Sequence, residues 1–363
     1  MKDVKICVFL PYLSGFGGTE TVINKWTENL EQLSINYVMP QGCKDKTWMN
    51  RKEKFVVNSF AKINKVPTPI RNFSGIFWML KHLKTNDYDV VICLSTKLIK
   101  LAYLYRKILK KNFKIVSWIH FSIEGNKNIR KKNLILCDHH LALSEGIKEQ
   151  IKLLNIDGNK ITVTGNPIEK KDYQIKKTEG RKKRFVYVGR IELHGSKNLQ
   201  ELIEAFSKVT GKWILDIYGD GNDFDKLQSL IEDTYLENKI NIKGWNAAPF
   251  LDMKEADFLI LTSKDEGFGM VLAEAISYGL PVISSDCPHG PKDIIENGNN
   301  GFLYHLGNVD ELCMLIQKIL INEIIIDRTK IGESIKQFYP ENYFATLTSL
   351  LNKLGSKEEE MNV

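Results

Sequence analysis

Short apolar runs separated by helical stretches occur twice along this chain of 363 residues, with a break between the two series. Runs at 4–10, 35–39, 88–94, 113–118 and 139–143 are the length of buried strands, and helical patterns such as 19–33 and 98–110 lie between them. After residue 183 the pattern restarts at 184–188, 213–218, 239–242, 257–261 and 281–284, again with helices between. Strand–helix alternation of this kind predicts parallel sheets covered by helices on both faces. The length suits two such domains. The expected fold class is therefore α/β, with two Rossmann-like, doubly wound domains facing across a cleft and ligand bound at the carboxyl ends of the strands.

The expected division is a first domain over 1–167, a linker over 168–183 and a second domain over 184–340. A final helix at about 341–355 is expected to pack back on the first domain. The linker reading rests on the charged stretch 169–183, which is nearly devoid of core residues. An acidic tail, Lys357-Glu358-Glu359-Glu360, closes the chain.

Composition excludes several classes. No run of eighteen or more apolar residues appears, so no membrane-spanning helix is expected. The first residues enter a strand without the apolar core of a signal peptide. Six scattered cysteines lack paired spacing, which points to reduced thiols in a cytoplasmic protein and away from a disulfide frame or zinc site. Residues 1–165 hold 27 Lys and Arg against 13 Asp and Glu, while the remainder holds 24 against 31. Basic residues cluster at Arg106-Lys107-Ile108-Leu109-Lys110-Lys111 and Arg130-Lys131-Lys132, and near the amphipathic stretch 76–84. Two readings stay open: a face that meets an anionic inner membrane or a phosphorylated acceptor, and a solvated basic face. No aromatic–basic stacking module is visible, so nucleic acid is not expected as a partner.

The chemistry concentrates at strand ends. Asp265-Glu266-Gly267-Phe268-Gly269-Met270-Val271-Leu272-Ala273-Glu274 follows the strand at 257–261. Residues 270–278 read as a helix stopped by Gly279 and Pro281, which puts Glu266 in the loop and Glu274 about two turns into the helix. Glycines let the backbone approach a ligand, and a helix N-terminus offers free N–H groups to an anion. Two carboxylates remain for sugar hydroxyls, although solvated helix charges share this spacing. Arg190 and Lys197, seven residues apart after the strand at 184–188, suit a diphosphate, or are two surface charges. Leu13-Ser14-Gly15-Phe16-Gly17-Gly18-Thr19-Glu20 is a glycine-rich strand-to-helix loop whose N–H groups can face phosphate. It lacks the third glycine of a dinucleotide fingerprint, which disfavours hydride transfer. Gly219 closes a strand, and Gly244-Trp245 follows another; Trp245 either flanks a nucleobase or is ordinary core or rim. His120, at a strand terminus, can position an acceptor hydroxyl, though a lone histidine near apolar residues is commonly structural. His139 and His140 point to opposite strand faces, so no metal cluster is expected.

The segment from Glu266 to Glu274, with the helix, glycine stop and buried strand after it, resembles the E-x7-E signature of retaining glycosyltransferases of family GT4, which have the GT-B fold. Within GT4 the chain is similar to bacterial lipopolysaccharide-core 1,6-galactosyltransferases. This resemblance rests on Ser14–Ile23, Ser117–Ser122, Gly146–Ile151, Thr210–Trp213, Gly219–Phe224 and Ser284–Asp293. It covers most of the chain. It implies a UDP-sugar donor, with galactose or glucose, and a lipopolysaccharide or other glycan or glycolipid acceptor. Glu274 would bind the donor ribose, and Glu266 the sugar near the reacting carbon. Arg190 and Lys197 would neutralise the diphosphate, with backbone N–H groups from Gly17 and Gly18. His120 would lie beside sugar and acceptor. Gly267, Phe268, Gly269, Met270 and Val271 would line the donor site, and no metal or other cofactor is expected. Relatives that build capsules, teichoic acids or glycolipids with glucose or N-acetylhexosamine remain alternatives, as do a nucleotide-sugar 2-epimerase on the same fold and a non-catalytic partner subunit.

Overall fold

The computed structural model describes residues 3–13, 17–58, 68–120, 122–124, 128–180 and 182–356. Parts of the glycine-rich loop (residues 14–16), residue 121 beside His120, Arg181 and the acidic tail lie outside them. The chain forms two compact units: residues 1–167 with 340–363, and residues 168–339.

The first unit is built on seven parallel strands: β1 (Lys5–Phe9), β2 (Ser34–Met39), β3 (Phe55–Val57), β4 (Val90–Cys93), β5 (Lys114–Trp118), β6 (His139–Ala142) and β7 (Ile161–Val163). They run in the order β3-β2-β1-β4-β5-β6-β7. Four helices connect them: α1 (Gly18–Asn29), α2 (Thr68–Thr85), α3 (Thr96–Ile108) and α4 (Glu145–Lys152). Serine side chains start two of these, Ser95 accepting from the Leu98 N–H and Ser144 from that of Ile147. α1 stops at Asn29, earlier than residue 33, because the chain must turn through the buried Leu30 and Leu33 to enter β2. Central strands are buried on both faces, as parallel sheets require. The indoles of Trp26 on α1 and Trp118 on β5 stack 3.9 Å apart in this core.

The second unit has six parallel strands: β8 (Lys183–Val188), β9 (Trp213–Tyr218), β10 (Ile240–Gly244), β11 (Phe258–Leu261), β12 (Val282–Ser285) and β13 (Gly301–Tyr304). Their order is β10-β9-β8-β11-β12-β13. The helices are α5 (Leu199–Lys208), α6 (Phe224–Asp233), α7 (Pro249–Asp252), α8 (Met270–Ser277), α9 (Pro291–Ile294) and α10 (Val309–Leu320). The last helix, α11 (Pro340–Gly355), belongs to the first unit, where Tyr343 Oη accepts from Trp26 Nε1 at 3.2 Å.

The stretch expected to be a linker is part of the second unit. Ile168 and Ile175 are buried, and Lys176 pairs with Glu255 as an isolated bridge. The guanidinium of the mostly buried Arg328 donates to the carbonyls of Ile175, Ala256 and Asp257, and Thr178 hydroxyl donates to Asp257. Two isoleucines and one arginine suffice to fix a segment whose charge content reads as free.

Candidate active site

In both sheets the strand order reverses once, beside the first strand of the series, and open α/β sheets hold ligands at such switch points. In the second unit the reversal lies between β8 and β11. Arg190 and Lys197 follow β8, and Glu266 follows β11, so residues 69 positions apart converge on one crevice. Lys197 Nζ donates to Glu266 Oε1 at 2.6 Å, and Ser263 Oγ donates to the same oxygen at 2.7 Å. Both partners of the ion pair are half-buried. The two loops are also laced by backbone contacts. Thr262 Oγ1 donates to the carbonyls of Lys197 (3.2 Å) and Asn198 (3.0 Å), and the Lys264 N–H to that of Ser196 (2.7 Å).

Lys197 reaches this position through a left-handed turn at Asn198 (φ 53°). Asn198 Nδ2 anchors to the buried Glu201 at 2.5 Å, and Glu201 also accepts from Tyr304 Oη at 2.8 Å. Arg190 is exposed, and its partner is Glu192, at 2.7 Å. Burial alone would raise the Glu192 carboxyl, but hydrogen bonds from Ser196 and Arg190 hold it below its usual range. Gly219, at the end of β9, has φ 156°, and a Cβ there would lie 1.8 Å from the Gly189 carbonyl oxygen. Glycine therefore lets the ends of β8 and β9 close beneath Arg190. Trp245 follows β10 and is 72% exposed, so it is neither core nor packed rim.

Past Glu266, Gly267 is half-exposed, while Phe268 is buried edge-on against Phe338, 4.9 Å between centroids. Gly269 takes the left-handed conformation (φ 91°) and precedes α8 without any side-chain cap. The first-turn N–H groups of Met270 and Val271 have no carbonyl to meet within the helix, the arrangement by which helix N-termini can receive an anion. α8 starts at Met270, where the sequence pattern puts it, and at 3.6 residues per turn Glu274 sits about one turn into it, not two, and is half-buried. Gly290 (φ 92°) backs the loop: a Cβ would stand 2.3 Å from the Phe268 carbonyl oxygen. Gly290→Ala is expected to cost about 1–3 kcal/mol from backbone strain alone. Urea unfolding of the second unit with an unchanged midpoint would count against this contact.

The remaining candidates belong to the first unit. Gly17 is the extended N-cap of α1 and Gly18 its exposed first residue. The Glu20 carboxylate lies 2.9 Å from where a Gly17 Cβ would stand, so this helix terminus already holds a negative charge. His120 follows β5, with its ring edge-on to Trp118 at 4.5 Å. Its Nε2 is buried and has no hydrogen-bond partner among the described residues. Burial pushes the imidazole down to about 3, so it is neutral near pH 7. His139 Nε2 meets Thr162 on β7 and His140 Nδ1 meets Ser117 on β5, in each case 2.8 Å or less.

Sequence reasoning missed Glu192, Asn198, Glu201, Ser263 and Gly290. Only the glycine carried a signal, as a glycine before a proline at a strand-to-helix turn. The others are polar residues whose use depends on strand neighbours far away in sequence.

Comparison with known proteins gives the family. Residues 168–338 match the family model of glycosyl transferases group 1, and residues 16–171 that of Glycosyltransferase Family 4. Lipopolysaccharide 1,6-galactosyltransferase of Salmonella typhimurium is 35% identical over 96% of this chain and 98% of its own. The Escherichia coli enzyme of that name is 34% identical, with the same coverage. The solved apo form of lipopolysaccharide outer core galactosyltransferase WaaB superposes with a TM-score of 0.86 at 34% identity, covering 96% of this chain and 99% of that one. With matches of this extent across both units, the chain belongs to glycosyltransferase family 4 and shares the GT-B fold of the bacterial lipopolysaccharide 1,6-galactosyltransferases.

Proposed function

We propose that the protein is a retaining hexosyltransferase that moves galactose from UDP-galactose to a cell-envelope glycan or glycolipid such as the lipopolysaccharide core. It would work in the cytoplasm, at the inner face of the membrane. The observation that carries this reading is the Lys197–Glu266 pair at the β8–β11 switch, beside the uncapped N-terminus of α8. A cation, a sugar-facing carboxylate and free N–H groups are what a nucleotide-sugar diphosphate needs. The relatives' shared galactosyltransferase name supports the sugar and the acceptor class.

In this reading Arg190, Lys197 and the α8 N-terminus take the diphosphate, with Gly17 and Gly18 adding N–H groups, so charge neutralisation needs no divalent ion. Gly267, Phe268 and Gly269 bring backbone against the donor, Glu274 holds the ribose hydroxyls, and Gly219 and Trp245 border the base. The bond from the anomeric carbon to the phosphate oxygen breaks, and its electron pair leaves with UDP. The acceptor hydroxyl attacks from the same face through an oxocarbenium-like state and passes its proton to the departing phosphate. Glu266 supports the sugar rather than forming a covalent intermediate. His120, neutral, accepts a hydrogen bond from a sugar or acceptor hydroxyl.

The test incubates purified protein with UDP-galactose, UDP-glucose and UDP-N-acetylhexosamines against truncated lipopolysaccharide cores, with linkage read by NMR. Galactose transfer with retained configuration is expected. Transfer of glucose or an N-acetylhexosamine to teichoic acid or capsule acceptors instead selects the alternative family role. Conversion of donor sugar without acceptor selects the 2-epimerase, and no turnover of any donor selects a non-catalytic subunit. Glu274→Ala is expected to weaken UDP binding about ten- to hundredfold, since a charged hydrogen bond is worth ~1.5–3 kcal/mol. Calorimetry showing wild-type affinity would remove Glu274 from the site.

A further inference from the structure

We infer that Glu201, a buried carboxylate outside the diphosphate site, is the positioning residue for Lys197: it holds the left-handed turn at Asn198 and so aims the cation at Glu266. Glu201 lies in the first turn of α5 and is 5% exposed. Its two oxygens are filled by uncharged donors. Oε2 accepts from Asn198 Nδ2 at 2.5 Å, and Oε1 accepts from Tyr304 Oη at 2.8 Å and from the Gly307 N–H at 3.3 Å. Burying a carboxylate costs free energy unless hydrogen bonds replace water, and three donors do so here. Tyr304 ends β13 and is 1% exposed. Burial first, and then the neighbouring Glu201, push its phenol well up, so it stays a donor. Its carbonyl accepts from the Asp286 N–H at 2.7 Å, which fixes the hydroxyl from the edge of the sheet.

Helix starts with these residue types usually work differently. An asparagine before a helix commonly keeps an extended backbone and caps a first-turn N–H with its side-chain oxygen. Asn198 makes no such cap, and its φ of 53° and ψ of 46° are left-handed. A glutamate at the third helical position commonly reaches back to the backbone N–H of the capping residue. Glu201 takes the side-chain amide instead. The N–H groups of Leu199 and Gln200 are met by the carbonyls of Glu192 and Leu193, at 3.0 and 3.2 Å. The Asn198 amide therefore serves a different end: it fixes its own backbone.

That backbone sets where Lys197, the residue before it, points. Left-handed residues other than glycine cost free energy, persist where their surroundings over-determine them, and cluster at functional sites. Here the turn is held from two sides. Thr262, which follows β11 on the way to Glu266, ties the carbonyls of Lys197 and Asn198, and Glu201 ties the Asn198 side chain. The outcome is Lys197 Nζ delivered to Glu266 Oε1 at 2.6 Å. The inference rests on the transferase reading for the reaction that Lys197 serves; the geometry of the turn does not.

Kinetics and crystallography of the full chain test it together. Glu201→Leu is expected to lower kcat about ten- to hundredfold, the scale of a misplaced catalytic group, and to leave the donor KM within about threefold. In a Lys197→Met background the same substitution is expected to add less than about threefold, because Glu201 acts through the cation. Adding Asn198→Gly to Glu201→Leu is expected to recover most of the loss, since glycine takes the left-handed turn without an anchor. A merely structural carboxylate would lower the thermal midpoint in every background and leave kcat per folded molecule unchanged, and that result overturns the inference. If Glu201→Leu does not fold, Asn198→Ala against Asn198→Gly decides. Both lose the amide, but alanine resists the left-handed backbone, so it is expected to turn over about tenfold more slowly than glycine. Equal rates overturn the inference. Crystal structures need no turnover: in whichever of Glu201→Leu and Asn198→Ala folds, Lys197 Nζ is expected beyond hydrogen-bond distance of Glu266. A contact kept as in the wild type overturns the inference. A wild type that transfers no sugar fails the transferase reading alone, and the crystal structures still decide this one.

Discussion

Lys197→Met is expected to lower the turnover of sugar transfer about 10²–10³-fold, the usual cost of removing one preorganised donor from a site where negative charge develops. Methionine keeps the unbranched stem and removes only the charge. Charge on the diphosphate grows as the glycosidic bond breaks, so the loss falls more on kcat than on the donor KM. The pair with Glu266 adds a second signature. Glu266→Gln keeps an oxygen for Ser263 but removes the partner charge, and the two substitutions together are expected to cost less than the product of the single effects. Glu266 is half-buried, so each variant's thermal midpoint must be measured beside its kinetics, because a half-buried carboxylate that loses its partner also destabilises the unit. A Lys197→Met enzyme within about threefold of wild type, a loss under ~1 kcal/mol, sinks the assignment.

That pair also shows where sequence reading stops. Each loop was legible alone: a cation after one strand, a carboxylate and a glycine before a helix. Their meeting required β8 to lie beside β11, a fact of strand order that no local pattern carries. Strands behaved in the same way. The run at 213–218 coincides with β9, and most interior strands end within two residues of the apolar run that announces them. The strands missed were β3, β7 and β13, all at sheet edges. An edge strand pairs on one side only and is partly exposed, and Phe55–Val57, Ile161–Val163 and Gly301–Tyr304 offer apolar runs too short to read as strands. Exposure was equally hidden. The amphipathic stretch 76–84 was visible as a pattern, but which side of α2 faces solvent follows from Gly75, Met79 and Leu83 packing inward. Only then do Phe73 and Phe77 become surface residues.

Acidification from pH 7 to pH 5 is expected to remove at least about 4 kcal/mol of stability from the first unit, chiefly through His120 and His140, with His82 and His139 adding to the loss because burial lowers them too. His120 is pushed down to about 3 by burial, and His140 to about 4 by burial first and then by His139 and Lys160. Unfolded, each would titrate near its ordinary value of about 6.5. As pH falls, the unfolded chain therefore takes up protons that the folded chain refuses. The stability these groups contribute is complete above about pH 6.5 and is lost toward the folded values. Over pH 7 to 5 the linkage amounts to about 2 kcal/mol for each. Solvent-exposed carboxylates stay largely ionised over this range, so histidines dominate it. Hydrogen exchange of β5 and β6 peptides, corrected for intrinsic rates, reads this unit separately from the other. His140→Gln is expected to recover about 2 kcal/mol of the loss. Equal protection at the two pH values, or a His140→Gln slope matching wild type, would refute the burial argument. For catalysis the same depression keeps His120 an uncharged acceptor throughout, so the pH profile of transfer should show no inflection near 6.5 that disappears in His120→Asn.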